Sequence, residues 1–412
     1  MDKNKKILLH FSLISGIGSI AVLKLIKKIY DDFCTKHKNH HIQVQNLDLN
    51  LEQIYDFTVK DFVQKFELTE KQAKLLFDGL KDESKLEKEL ELIEKYKINI
   101  FSLLDPEYPD CLKQIYMPPI VLYCKGLGLG CFEKNFAIVG ARKAGDYAAK
   151  VIKNIAPTLI EKDFTIVSGG ALGVDSMSHK AALDCDGKTI VVLGSGLLDF
   201  YPKNNKELFK KIVAQNGTLV SSFPLLTPPD KGNFPARNRI IAGLSKACLV
   251  VQAAKKSGAL ITAKFALDEG RTVFAVPGSI FDELSLGCHE LINQGAKLVN
   301  STLDIFEDMG IKAFDVYPVR MDSTSSPRTG SDPTCLSKTK EQSRDLEEKK
   351  TIEVCELGAP EKLILNFLQQ ACSLDELSLK TKLDLLHLQD LLFDLQLAEK
   401  VKQNINGFWE RV

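Results

Sequence analysis

From about residue 98 onward, short apolar runs alternate with stretches of helical character, and this alternation restricts the fold more than any other feature of the sequence. Most runs are continuously apolar, which is typical of parallel strands covered by helices on both faces. The runs predicted as strands are Asn99–Ser102, Val121–Cys124, Phe136–Val139, Thr165–Val167, Thr189–Leu193, Thr218–Ser221, Cys248–Val251 and Thr272–Val276. Helices are predicted between them at Tyr147–Glu161, Met177–Leu183, Lys206–Gln215, Ile240–Ser245 and Thr262–Glu269. This order predicts an α/β fold with a doubly wound, extended Rossmann-like and mostly parallel sheet over residues 98–310.

Glycine and serine follow these strands regularly, as at Gly140 and at Ser168-Gly169-Gly170. Ligands of open parallel sheets bind beyond the carboxyl ends of the strands. Backbone N–H groups in glycine-rich loops, with helix N-termini behind them, can approach an anion closely there. The same loops contain cations that can converge on one rim: Arg142, Lys143, Lys231, Arg237, Arg239, Lys255 and Lys256. The sequence therefore predicts an anion-binding site at this edge of the sheet.

The segment Gly232–Gly243 adds Phe234, Arg237, Asn238 and Arg239 ahead of an apolar run. Two guanidinium groups at the start of a helix can bind an anion bidentately, and a phenylalanine beside them offers a face for stacking. The alternative is a surface turn whose arginines face solvent or form structural ion pairs. The glycine-lined strand ends favour the first interpretation.

Little in these loops predicts catalysis. The pattern G-x-x-x-x-G-K-[ST] is absent, and so is a dinucleotide fingerprint at the first βα turn. Asp175 and His179, one helical turn apart, could act as base and orienting group. The alternative, in which Asp175 caps a helix and His179 packs against a loop, is favoured. Because no nucleophile–base set stands out, we expect a binding protein with no catalytic residue, cofactor or metal.

Composition limits the location and the ligand. Lysine plus arginine and aspartate plus glutamate each number 54, so any polyanion must bind a local patch. Ten scattered cysteines without a C-x-x-C pair argue against zinc and disulfides and indicate a reducing, cytoplasmic compartment. Polar residues interrupt the apolar run Ile7–Leu23, so no secretory signal is expected. No apolar span reaches roughly 18 residues, so no membrane helix is expected.

Two smaller domains are predicted to flank the sheet. Residues 1–80 are expected to be helical, with Leu13–Ser19 forming either a helix-hairpin-helix turn or a plain glycine-containing connection. Residues 81–97 are predicted to form a charge-rich helical connector. Residues 311–357 have the composition of a flexible linker. Residues 358–412 predict a winged helix whose acidic third helix favours a protein contact over DNA.

Residues 98–310 resemble the DNA-processing protein A family (DprA, also called Smf) along nearly their whole length. The resemblance implies a bacterial cytoplasmic protein that binds single-stranded DNA during natural transformation. It also implies a homodimer that binds the RecA recombinase and loads it onto strands coated by single-strand-binding protein. An N-terminal sterile-alpha-motif-like or helix-hairpin-helix domain and a C-terminal winged helix fit the family too. The segments that carry the resemblance include Asp105-Pro-Glu-Tyr-Pro109, Ile138-Val-Gly-Ala-Arg142, Ser168-Gly-Gly-Ala-Leu-Gly-Val-Asp175, Phe234-Pro-Ala-Arg-Asn-Arg-Ile-Ile-Ala-Gly243, Ser257-Gly-Ala-Leu-Ile-Thr-Ala263 and Gly270-Arg-Thr-Val-Phe-Ala-Val-Pro-Gly278.

The resemblance also implies roles for individual residues. With the neighbouring loop positions, the predicted DNA-binding set is Arg142, Lys143, Ser168, Gly169, Gly194, Lys231, Phe234, Arg237, Asn238, Arg239, Ser257 and Thr262. The segment His289–Leu298 resembles the dimer contact of the family, near its RecA surface. The residues predicted to face a partner are His289, Leu291, Ile292 and Leu298.

Two other functions stay open on the sequence alone. A phosphoribohydrolase of the lysine-decarboxylase-like Rossmann group would use a similar sheet, but its Pro-Gly-Gly-x-Gly-Thr motif is not matched at Pro277-Gly-Ser-Ile-Phe281. A structural adaptor would act through its terminal domains and leave the cleft vestigial. Measurements of DNA binding, and of base release from nucleoside monophosphates, separate these functions.

Overall fold

The computed structural model describes residues 1–37 and 51–311, together with 364–368, 374–381, 388, 391–392, 395, 400–403 and 409–411. The chain divides into two compact units, Met1–Met321 and Asp322–Val412. The first unit contains a set of N-terminal helices and a nine-stranded sheet.

The strands of this sheet are β1 (Asn99–Ser102), β2 (Val121–Gly126), β3 (Asn135–Val139), β4 (Thr165–Ser168), β5 (Thr189–Leu193), β6 (Thr218–Ser221), β7 (Ala247–Val250), β8 (Thr272–Ala275) and β9 (Lys297–Leu298). Their order across the sheet is β1-β2-β6-β5-β4-β3-β7-β8-β9. The strands from β3 to β9 pair in parallel, whereas β1 and β2 form an antiparallel edge. The predicted α/β fold with a mostly parallel sheet is confirmed.

Burial explains why the central strands are parallel. Every residue of β3, β4 and β5 is buried, as expected for strands with both faces covered. The chain runs outward from β3 to β6 and then returns to β7 on the other side of β3. Such a reversal opens a crevice at the carboxyl ends of the strands, where doubly wound sheets bind their ligands.

Helices precede the sheet and connect its strands: α1 (Lys3–Leu13), α2 (Ser19–His37), α3 (Val59–Gln64), α4 (Glu70–Lys81), α5 (Ser84–Tyr96), α6 (Asp110–Lys113), α7 (Asp146–Glu161), α8 (Val174–Asp184), α9 (Lys206–Ala214), α10 (Asn233–Leu244), α11 (Gly258–Asp268), α12 (Leu286–Asn293) and α13 (Thr302–Asp308). Helix α10 departs most from the prediction, because it begins at Asn233 and not at Ile240. Pro235 lies in its first turn, where backbone N–H groups have no intrahelical acceptor, so the proline does not break the helix.

The N-terminal helices pack directly on the sheet. One cluster of buried apolar side chains continues from Leu8 and Leu25 to Leu193 in β5. A salt bridge crosses the same boundary, since Lys5 Nζ lies 2.8 Å from Asp105 Oδ2. The helices and the sheet therefore share a hydrophobic core, and the domain boundaries near residues 80 and 98 stay predictions.

Glu89 of α5 places a carboxylate in this shared core. The side chain is 6% exposed and accepts a hydrogen bond from Leu225 N at 2.7 Å. Burial raises the pKa of Glu89, although this hydrogen bond opposes the rise. A carboxyl group whose pKa is higher in the folded than in the unfolded chain costs stability when it ionises. The cost is absent below the unfolded pKa and fully present above the folded one.

Glu89→Gln is expected to reduce this loss of stability with rising pH. The amide oxygen can still accept from Leu225 N, but it carries no charge in the core. The stability of the variant relative to the unchanged protein should therefore increase between about pH 4 and about pH 8 in urea unfolding experiments. Glu87→Gln, at an exposed position of the same helix, is the control. A stability difference that does not vary with pH would contradict the raised pKa.

The second unit is described in pieces. Residues 364–367 are helical, α14 spans Leu374–Thr381, and β10 (Val401–Gln403) pairs antiparallel with β11 (Trp409–Arg411). Buried leucines and Val401 form a small core. The hairpin falls within residues 358–412, for which a winged helix is predicted, and the winged helix as a whole stays a prediction. The predicted linker lies outside the described residues apart from its first residue.

Candidate functional site

A cleft of about 620 Å³ opens where the strand order reverses. Its walls come from the loops after β3, β4 and β7 and from the first turns of α10 and α11. The strand-end loops thus converge as expected, and their binding of DNA stays a proposal. The predicted residues that line the cleft are Arg142, Lys143, Lys231, Phe234, Arg237, Asn238, Ser257 and Thr262.

Positive charge concentrates in this cleft. Arg142, Lys143, Lys231 and Lys256 line it and are exposed. Helices α10 and α11 both begin there, so their N-terminal N–H groups and dipoles add positive potential. The hydroxyl of Ser257 caps α11 by accepting a backbone N–H at 3.3 Å. An anionic ligand is favoured locally, although the net charge of the chain is zero.

Arg237 lies in the floor of the cleft and not on its rim. It is 5% exposed, and its Nη1 donates to the carbonyl oxygens of Gly169 and Val192, at 2.5 Å to the latter. Its Nε donates to Asn238 Oδ1 at 3.0 Å. The guanidinium therefore ties α10 to the ends of β4 and β5. This corrects the expectation that Arg237 belongs to the cationic rim, because most of its donors are used by the scaffold.

A buried carboxylate accompanies this guanidinium. Asp175 is 7% exposed and accepts from Ala171 N at 3.2 Å. Burial raises the pKa of Asp175, and the charge of Arg237 opposes that rise. Burial also lowers the pKa of Arg237 to about 10, so the guanidinium stays charged at neutral pH. Gly169 provides the space, because a Cβ at this position would collide with both charged groups.

An aromatic platform lies beside the charged rim. The guanidinium carbons of Arg142 and Arg237 lie 5.4 Å and 5.8 Å from the ring centroid of Phe234. The ring of Tyr201, which is 46% exposed, lies 6.1 Å from that of Phe234 at an interplanar angle of 59°. Gly194 lies against the ring, since a Cβ there would be 2.8 Å from Phe234 Cδ1. The partly exposed Phe234 ring can stack on an unpaired base.

Tyr201 is a candidate residue that the sequence prediction missed. With Leu172 and Phe234 it lines a second cavity of about 50 Å³ next to the cleft. The available sequence signal was an aromatic residue ahead of Pro202 in a loop that follows a buried strand. Such a signal does not distinguish a ligand contact from an ordinary loop residue.

Arg239 lies outside the cleft. Two residues along an α-helix correspond to about 200° of rotation, so Arg237 and Arg239 leave α10 on opposite sides. Nη1 of Arg239 donates to Tyr116 O at 3.3 Å, and the side chain lines a separate cavity of about 220 Å³ beside the α1–α2 turn. The expectation that both arginines share one rim is wrong, because α10 already begins at Asn233.

Two buried polar residues serve the sheet. Ser168 Oγ donates to a carbonyl oxygen of β3 at 2.6 Å. Nδ1 of His179 lies 2.7 Å from Thr189 Oγ1, whose hydroxyl donates to a carbonyl oxygen of β4. His179 must therefore donate through Nδ1, and burial lowers its pKa to about 3. This geometry favours a structural role for His179 over a base paired with Asp175, and the predicted contact of Ser168 with DNA is corrected to a strand-linking role.

The residues predicted to face a partner are divided between surface and core. Leu298 on the edge strand β9 is 42% exposed. Ile292 is partly buried, and His289 Nε2 lies 3.1 Å from Gly278 O. Leu291 is 5% exposed and belongs to the core, so its prediction as a partner contact is corrected. Helix α12 packs against β8, which turns this side chain inward.

Within residues 1–37, 51–311 and the described pieces of the second unit, no helix has the length and apolar content to cross a bilayer. The same residues contain no group of three or more His, Cys, Asp or Glu side chains that could hold a metal ion. Burial raises the pKa of the Cys111 and Cys288 thiols to about 11, which keeps them protonated.

A model of the DNA recombination-mediator protein A family matches residues 99–310. The chain belongs to this family. The matched range of the DNA recombination-mediator protein A family starts at β1, extends past β9, and includes every residue that lines the cleft. The family resemblance found in the sequence is confirmed.

Individual relatives of the family agree. The chain is 45% identical to DNA processing protein DprA of Streptococcus pneumoniae over 228 residues, which is 55% of this chain and 78% of that protein. It is 43% identical to DprA of Bacillus subtilis over 226 residues, covering 55% and 76%. The X-ray structure of DprA from Streptococcus pneumoniae is similar with a TM-score of 0.59 and 33% identity, covering 75% of this chain and 99% of that chain.

Proposed function

We propose that this protein binds single-stranded DNA in the cleft and helps to load the RecA recombinase onto it during natural transformation. The observation that carries the proposal is the convergence of exposed cations, two helix N-termini and the Phe234 ring on one cleft. The cations and N–H groups fit phosphates, and the ring fits an unpaired base. Membership in a recombination-mediator family supports the same function.

The chemistry of the cleft favours a single strand over a duplex. Stacking on Phe234 requires a base whose face is free, whereas bases in a duplex are covered by their neighbours. Arg142, near the same ring, can hold a phosphate next to the stacked base. We assign no catalytic step to the cleft, since its buried titratable groups, Asp175 and Arg237, are engaged with backbone atoms.

Binding of a labelled oligo-dT should weaken steeply with salt, with a log–log slope of about −0.7 per neutralised phosphate. Lys231→Ala and Lys256→Ala should each weaken binding and reduce the slope by up to about 0.7, because each removes one phosphate contact. Fluorescence anisotropy between about 50 and 300 mM NaCl measures both effects. Lys264→Ala, an exposed lysine of α11 outside the cleft lining, is the matched control. Unchanged affinity in both cleft variants would refute the assignment of the site.

The rest of the proposal concerns protein partners in the cytoplasm. We propose a homodimer that acts on DNA coated by single-strand-binding protein and contacts RecA, with a protein contact also made by the C-terminal unit. The exposed Leu298 on an edge strand supports a contact between copies, because edge strands present unpaired backbone groups. Sedimentation of the full chain tests the dimer. A RecA strand-exchange assay, with and without residues 311–412, tests loading and the role of the C-terminal unit separately from DNA binding.

A further inference from the structure

The loop between β8 and α12 carries an exposed apolar pair that the cleft does not use. Phe281 is 91% exposed and Ile280 is 72% exposed. Within the described part of the chain, Phe281 has the largest exposed fraction of the large apolar side chains. Adjacent apolar residues presented in this way indicate an interaction surface.

This loop is held by its own hydrogen bonds. Asp282 Oδ1 accepts from Leu284 N at 3.0 Å, and Oδ2 accepts from Ser285 Oγ and Gln252 Nε2, each at 3.2 Å. The carboxylate thereby ties the turn to the loop after β7. The hydrogen bonds of this turn therefore hold Phe281 in its exposed position in the absence of a ligand.

The loop also lies next to the cleft. It leaves β8 at the same carboxyl edge of the sheet, and Leu284 lines the cleft and accepts from Ala253 N at 2.6 Å. Phe281 precedes Leu284 by three residues, so their Cα atoms lie within roughly 11 Å of each other. Lys143 and Lys256 are exposed cations of the adjoining rim.

The amino-acid composition of this loop indicates which kind of ligand contact it can make. Residues 277–285 contain no lysine or arginine, and Glu283 is exposed, so the loop offers no cation to a phosphate. An exposed ring next to a rim of cations fits a nucleic-acid base, whose flanking phosphates the rim can hold. The positive charge of the neighbouring cleft therefore favours DNA as the occupant.

We propose that Phe281 is a second stacking platform for the single strand that leaves the cleft, with Ile280 as its apolar support. This inference rests on the proposed function. Strands β3 and β8 are two strand spacings apart, or about 10 Å, which is about three nucleotides at a stacked rise of about 3.4 Å. Single-stranded DNA held in the cleft therefore reaches Phe281 within a few nucleotides.

Phe281→Ala in the full chain is expected to weaken binding of an oligo-dT of about 12 nucleotides by about 5- to 150-fold. The salt slope should not change, because no phosphate contact is lost. Competition by a dT dinucleotide, which is too short to span the roughly three nucleotides between the cleft and Phe281, should be unaffected. Phe281→Trp should bind like the unchanged protein, whereas Phe281→Leu, which keeps an apolar side chain without a ring, should bind weakly.

Leu267→Ala is the matched control, because Leu267 is 45% exposed in the last turn of α11, at the opposite edge of the sheet. If Phe234→Ala weakens both oligonucleotides while Phe281→Ala changes neither, the second platform is overturned and the proposed function stands. If the unchanged protein does not bind oligo-dT, both fall. If Phe281→Ala lowers the mass in sedimentation equilibrium and leaves DNA affinity intact, Phe281 is a contact between copies and the platform is overturned.

Discussion

Arg237→Ala is expected to destabilise the first unit by about 3–5 kcal/mol and to abolish measurable binding of single-stranded DNA. The substitution removes the Arg237 donor from the carbonyl oxygens of Gly169 and Val192, and it leaves Asp175 buried without the nearby positive charge. Unpaired buried polar groups cost about 1–3 kcal/mol each. Urea unfolding followed by circular dichroism measures the loss of stability, and anisotropy with oligo-dT measures the loss of binding.

Arg239→Ala provides the matched control on the same helix, because its guanidinium is partly exposed and lies outside the cleft. Its effect on stability should be within about 1 kcal/mol. Arg237→Lys separates charge from geometry, since a lysine keeps the charge but lacks the planar fork that reaches two carbonyl oxygens. It should remain markedly less stable than the unchanged protein. Equal unfolding midpoints for all three variants would show that the buried guanidinium does not hold the sheet ends.

Phe234→Ala is expected to weaken oligo-dT binding by about 5- to 150-fold while leaving the unfolding midpoint nearly unchanged. The ring supplies a stacking face and is only partly buried, so its loss affects the ligand more than the core. Because no cation is removed, the salt slope should be retained. Anisotropy over a salt series therefore distinguishes this variant from the lysine variants of the rim.

Two further substitutions test whether the position of the ring matters. Gly194→Ala places a Cβ 2.8 Å from Phe234 Cδ1 and should displace the ring, so it should weaken binding in the same direction. Phe234→Trp keeps a stacking face and should retain binding. A Phe234→Ala variant that binds as tightly as the unchanged protein would remove base stacking from the proposed site.

The strands were predictable from the sequence because their chemistry is local. Buried parallel strands must be continuously apolar, and the predicted bounds of Thr189–Leu193 and Thr218–Ser221 are the observed ones. Strand β9 was missed, since Lys297–Leu298 is too short to show a pattern. The core shared by the N-terminal helices and the sheet could not be predicted from the sequence either, because apolar periodicity shows which face of an element is buried but not which element covers it.

The location of the cleft could be predicted from the sequence, but the separate roles of its arginines could not. Glycine and serine at the strand ends located the edge where the loops meet. The roles of the arginines depend on where α10 begins. The sequence predicts a start at Ile240, whereas the helix begins at Asn233, because its first turn tolerates Pro235. The hydrogen bonds that bury Arg237 come from strands distant in sequence, so no local pattern reports them.

The fixed position of the Arg237 guanidinium has a consequence for how this site can change over evolutionary time. Lysines at the rim can be exchanged one at a time, so affinity for an anionic ligand can be tuned gradually. The charge beneath them is bonded to two strand ends, so its removal carries the loss of stability expected for Arg237→Ala. Stepwise substitution of the rim can therefore alter how tightly the cleft binds an anion, whereas conversion to a cation-binding cleft would also have to tolerate the loss of stability that removal of Arg237 brings.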